Sequence, residues 1–188
     1  MSRKSVFMGI ALAAVLAVGC DRGDKPATTG EGGGLSGAAN PEVRLSANEE
    51  QFVQKAAKGN KAEANMADMA ENKAENPAVK EYAELLKKDH SNALDDLRDL
   101  ASKANVKLDT EPPAEKASTH DRLEALSGKA FDSGYVQQMI EDHRTNIAAF
   151  EETQKTASGE LKAFIDKMLP VMREHLQKAE SLMEMEKK

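Results

Sequence analysis

At 188 residues, with one cysteine, no tryptophan and a formal charge of −6, the chain has the length of one compact domain. A lone cysteine rules out an internal disulfide framework. Acidity without a basic stripe argues against nucleic acid as a partner and against electrostatic adhesion to anionic lipid.

The first twenty residues stand apart from the rest. Arg3 and Lys4 precede an apolar run from Val6 to Val18, and small residues lead up to Cys20. That order is the order of a secretory signal, and the run is too short and wrongly flanked for a transmembrane span. "LAVGC", residues 16–20, resembles a bacterial lipobox, with Ala17 where leucine is more usual. The resemblance implies that residues 1–19 are removed as a signal peptide and that Cys20 becomes the lipidated first residue. The alternative is a plain signal peptide cut before an ordinary cysteine. Stable anchoring needs more than one acyl chain, and bacterial lipoproteins carry several. Loss of residues 1–19, whose only charged groups are Arg3 and Lys4, takes the formal charge from −6 to −8.

Residues 20–45 read as the lipidated cysteine and a flexible tether. "DRGDKPATTGEGGGLSGAANPEVRL" has no apolar period, and its composition gives an average span of roughly 25–30 Å. A bundle domain is expected over 46–186. "SANE" at 46–49 is a capping box that opens a first helix over about 48–75, with Phe52, Val53, Ala56, Ala57, Met66, Met69 and Ala70 on its apolar stripe. "ENP" at 75–77 ends it, Asn76 being a good N-cap and Pro77 suiting the first position of the next helix. The second helix, about 77–104, carries Val79, Ala83, Leu86, His90, Ala93, Leu97, Leu100 and Ala104 at alternating steps of three and four. Asn105 is expected to end it. A longer connection follows over 105–118, broken by Pro112 and Pro113, and a short helix is expected near 119–126. The third long helix starts between Ser127 and Ser133 and runs to about Ala157. "SGE" at 158–160 turns the chain into a fourth, running to about residue 186 with Pro170 inside it. No stretch alternates long enough for a strand. The expected fold is therefore all-α, a four-helix bundle of two antiparallel hairpins joined by a longer crossing connection.

The seams carry polar residues at one height. Glu63, His90, His143 and His175 each lie near the middle of one long helix, so antiparallel packing brings all four to one central layer. A single histidine on an apolar face is most often a hydrogen-bonded core residue. A buried polar layer can also fix register alone. Three imidazoles with a carboxylate are equally a coordination set for one divalent transition metal, Zn²⁺ or Cu²⁺ matching it best. Both readings stand on spacing alone. A small rotation of the first helix would turn Asn60 inward in place of Glu63. Asp89 and Asp142 each precede a layer histidine; from there each can face the adjoining helix and accept an N–H from that helix's histidine. Glu174 reads as a solvated flank, His120 as a solvated residue of the connection, and Met66, Met139 and Met172 as core filling.

"FVQKAAKGNKAE" (52–63), "KDHS" (88–91), "SGKAFDSGYVQQMIEDH" (127–143), "LKAF" (161–164) and "LPVMREHL" (169–176) resemble, in order and spacing, the bacterial domain-of-unknown-function family 4142. Its members are often labelled predicted outer membrane proteins. The resemblance covers nearly all of 48–184. It implies a ferritin-like fold and an envelope location facing the periplasm, inner or outer membrane being left open, and carries no established activity. Asp21, directly after Cys20, resembles the inner-membrane retention signal of enterobacteria. The chain departs from di-iron bundles, which place a Glu three residues before a His on two helices. Here Lys87, Ile140 and Met172 hold those positions, which leaves ligands for one ion and none for a bridged pair. No nucleophile–base arrangement, phosphate loop or pair of catalytic acids is present. Two readings follow: an envelope lipoprotein that binds one metal ion, and a structural or interaction lipoprotein whose polar layer only specifies the bundle. A metal-dependent oxidoreductase trails both for want of carboxylates. The lipid tie to the membrane is the one partner implied; no protein partner is legible.

Overall fold

The computed structural model describes residues 43–186. The expected signal peptide 1–19, Cys20 and the tether as far as residue 42 lie outside the described residues. At the end of that tether Val43 and Leu45 are half-buried and pack on the core, so apolar packing begins ahead of the capping box.

The described residues form five helices and no strand: α1 (Ala47–Lys73), α2 (Pro77–Lys103), α3 (Ala114–Glu124), α4 (Gly128–Gln154) and α5 (Gly159–Glu186). α3 is the short helix expected near 119–126 and starts five residues earlier, so the described residues hold five helices where the bundle expectation counts the four long ones. The Pro112–Pro113 pair, read as a break, ends in the N-cap of α3, where the missing amide costs nothing because first-turn amides have no intrahelical partner. None of the five is long and apolar enough to cross a membrane.

Local chemistry sets the ends of the long helices. Ser46 and Glu49 close the capping box of α1, Ser46 N donating to Glu49 Oε2 at 2.8 Å and Glu49 N to Ser46 Oγ at 3.3 Å. Asn76 caps α2, and the buried Asp132 of α4 accepts from the Glu75 and Asn76 amides at 3.1 and 2.8 Å. The α1–α2 turn is thereby pinned to α4. Asn105 follows α2 in a left-handed conformation (φ 56°), with Val106 N bonded to Ala101 O and Asn105 N to Ser102 O. These are the two bonds of a Schellman ending, and Asn is among the few residues that take this conformation at low cost.

Side-chain pairs fix the directions of the long helices. Glu71–Lys87 and Glu63–His90 run α1 against α2; Arg144–Glu180 and Glu151–Arg173 run α4 against α5. Between the hairpins, Lys167–Asp96 and Lys103–Glu160 set α5 against α2, and Phe52–Phe150 with Lys73 over Phe131 set α1 against α4. All four neighbouring pairs are antiparallel. The core is in two parts. One cluster gathers Val53, Leu97, Phe150, Leu161 and Ile165; the other gathers Met66, Leu86, Phe131, Tyr135 and Met139. Along every long helix the polar residues of the layer fall between the members of the first cluster and those of the second.

Candidate metal centre

Glu63, His90, His143 and His175 meet between the two apolar clusters, exposed by only 1, 4, 1 and 1%. One ring nitrogen from each histidine lies within 4.8 Å of the others. The three ring centroids are 5.3–5.6 Å apart, tilted or edge-on to one another rather than stacked. Glu63 stands beside this trio: its Oε2 is 3.2 Å from His90 Nε2 and 3.7 Å from His143 Nδ1.

The outer hydrogen bonds decide which nitrogens carry protons. His143 Nδ1 lies 2.9 Å from Met139 O and His175 Nε2 lies 3.0 Å from Asp89 Oδ2. Both partners are acceptors, so both nitrogens are protonated and donate. Asn60 donates from Nδ2 to Ala56 O at 2.8 Å, which leaves Asn60 Oδ1 to accept from His90 Nδ1 at 2.9 Å. In the neutral form of each ring the remaining nitrogen is a bare lone pair: His90 Nε2, His143 Nε2 and His175 Nδ1. His143 Nε2 and His175 Nδ1 face each other at 3.3 Å. Glu63 Oε2 and His90 Nε2, despite their short separation, are not aligned for a hydrogen bond, and both are buried atoms without a partner. Glu63 Oε1 is held by Asn146 Nδ2 at 2.8 Å.

Burial sets the charge state. Desolvation, followed by the neighbouring His143 and His175, holds His90 well below its ordinary value of 6.5. Desolvation also lowers His175, with Asp89 working against it. Both rings are therefore held toward the neutral form, which leaves His90 Nε2 and His175 Nδ1 as acceptors, the first beside Glu63 Oε2 and the second beside His143 Nε2. Bringing lone pairs together in a dry interior is unfavourable. A cation removes the conflict. Two ligands bonded at about 2.0–2.1 Å to a tetrahedral ion lie about 3.3–3.4 Å apart. The His143–His175 separation, 3.3 Å, matches that spacing.

Asp89 thus sits on α2 and orients a ring of α5. Asp142 faces away from the rings: its Oδ1 accepts from Lys116 of α3 at 2.5 Å and from Gln138 at 3.1 Å, while Oδ2 is buried without a partner. The expectation that Asp142 orients a layer histidine is corrected, because α3 lies across that flank and supplies an ammonium. Desolvation raises the Asp142 carboxyl, with Glu63 adding to it and Lys116 opposing. Asn60 and Glu63, weighed as alternatives, both turn inward, one behind His90 and the other before it. Sequence reasoning missed Asn146 and Tyr82, whose hydroxyl donates to His175 O at 3.1 Å. Asn146 lies three residues after His143 on the same seam, a spacing that was available as a signal. Glu174 pairs with Lys178 at the surface and His120 is half-buried beside Asp121. Met66, Met139 and Met172 are core residues, and Pro170 lies inside α5 without ending it.

A cavity of ≈60 Å³ reaches this centre between α1 and α4, running from the exposed Lys55 and Ala149 past Gly59 and Asn146 to Glu63 and His90.

A family model described as "Domain of unknown function (DUF4142)" matches residues 34–182. No curated protein and no solved structure matches the chain.

Proposed function

The chain belongs to the DUF4142 family, and from that premise we propose that it is a metal-binding lipoprotein of the bacterial cell envelope. We read the four long helices as a ferritin-like bundle, with α3 inside the crossing connection. The bundle holds one divalent transition metal on His90, His143 and His175, with Glu63 as the adjoining carboxylate. Zn²⁺ and Cu²⁺ suit an imidazole-rich set best. When bound, such an ion supplies Lewis acidity; this chain's own residues hold and orient it. Asn60, Met139 O and Asp89 each take the outer N–H of one ring, which selects the tautomer with its lone pair inward.

One observation carries the reading: Glu63 Oε2 and His90 Nε2 are buried side by side without a hydrogen-bond partner, and the other nitrogen of His90, like one nitrogen of His143 and of His175, is held from outside by Asn60, Met139 O or Asp89. A layer that served only to fix register would be expected to pair donors with acceptors. The envelope location rests on the signal-like start and on Cys20. Metal content of the stripped and reloaded full chain tests the metal. One equivalent of Zn²⁺ or Cu²⁺, lost in the His90→Ala, His143→Ala and His175→Ala variants, is expected. A chain that retains neither ion is a structural bundle instead, the second of the two readings drawn from the sequence.

A further inference from the structure

The wall between α1 and α4 is not closed over the centre. The cavity there, ≈60 Å³, is several times the ~10–15 Å³ that admits one water, so it takes a few waters or a triatomic anion. Its walls include Glu63 and His90, and each of these carries a buried polar atom with no hydrogen-bond partner, Oε2 and Nε2. Midway stands Gly59. It lies within α1 with no positive φ, so the backbone does not require glycine. In a helix interior glycine is less stable than alanine. A Cβ built at Gly59 would meet nothing within 4 Å. What glycine leaves at this position is open space beside the cavity. The two amides nearest the centre are already engaged, Asn146 with Glu63 and Asn60 with His90, and Lys55 stands at the mouth.

We propose that this cavity is the entry to an open coordination position, through which a small exogenous ligand, water or a small anion, reaches an ion held by the three histidines. The inference rests on the metal reading above and adds that the centre is open, as in sites that exchange ligands, rather than closed, as in purely structural ones. The ligand arrives on the Glu63 side, and Gly59 keeps the way clear.

The test uses the full chain loaded with Co²⁺, whose visible bands report its ligands, titrated with azide. A saturable change in the bands is expected for the native chain. Gly59→Leu should still load one Co²⁺ and lose the azide response, or need at least tenfold more azide. Ala149→Leu, on the facing wall, gives a second obstruction if Gly59→Leu fails to fold. Co²⁺ loading with no azide response in the native chain overturns the open position and leaves metal binding standing. An azide affinity unchanged in a folded, obstructed variant overturns the route. Failure to load Co²⁺ overturns the metal reading, and this inference falls with it.

Discussion

His143 Nε2 and His175 Nδ1 face each other at 3.3 Å, while the opposite nitrogen of each ring donates to an acceptor, Met139 O for one and Asp89 for the other. A hydrogen bond between the facing atoms would need one ring to be an imidazolium. Burial opposes that for His175. The predictions below follow from this unpaired convergence and from the helices that impose it.

Asp89 is a positioning residue. It lies on α2, its side chain about a quarter exposed, and fixes a ring of α5. Asp89→Ala should leave helicity intact and lower metal affinity by about 10–100-fold, the usual cost of losing the outer partner of a ligating histidine. Competition with a calibrated chelator measures it. An unchanged affinity would separate Asp89 from the site.

The metal-free protein should lose stability as pH falls below about 6.5. The folded-state values of His90 and His175 lie below their ordinary 6.5, so the unfolded chain takes up protons first. Their contribution is complete above the unfolded value and is lost progressively until the folded rings protonate. Asp142, whose carboxyl is raised by burial, acts in the opposite sense nearer the carboxylate range. Urea midpoints at a series of pH values should be flat above pH ~7 and decline below ~6.5. A midpoint that rises on acidification through this range would show that the rings are not held neutral.

Lys116 ties α3 to α4 through Asp142 in a mostly buried pair. Lys116→Met should destabilise the fold by about 1–3 kcal/mol, because it strands a buried carboxylate that already has one unpartnered oxygen. Adding Asp142→Asn should restore part of the loss. Denaturant unfolding of the two single variants and the double variant checks the coupling.

Residues 43–186 should fold without the segment before them, giving a strongly helical circular dichroism spectrum and a cooperative melt. The full chain, extracted from bacterial membranes, should begin at Cys20 and carry added acyl mass, and Cys20→Ala should leave the membrane fraction. An unmodified start at another residue would end the lipoprotein reading.

The layer was legible because height along a helix follows from sequence once the ends are known. The capping box at Ser46 and the Asn76–Pro77 start place Glu63 and His90 at mid-helix, and the end expected near Ala157 with the turn at 158–160 places His143 and His175 there. Rotation about the helix axis was less legible. The stripe left Asn60 and Glu63 as alternatives, and only packing shows that one helix turns both inward. Asp142 was misdirected for a related reason: the residue it meets, Lys116, comes from α3, whose start the Pro112–Pro113 pair obscured. Asn146 was passed over because a polar residue beside a histidine reads as solvated flank until the facing Glu63 is known.

The most direct measurement is the thermal or denaturant unfolding of metal-stripped protein with and without Zn²⁺ or Cu²⁺, for the native chain and for His143→Ala. A metal that binds only the folded state should stabilise the native chain by about 2.7 kcal/mol at a hundredfold excess over its dissociation constant, and should leave His143→Ala unmoved. Native protein whose unfolding no transition metal shifts would contradict the account, and the three histidines would then be a buried polar layer and nothing more.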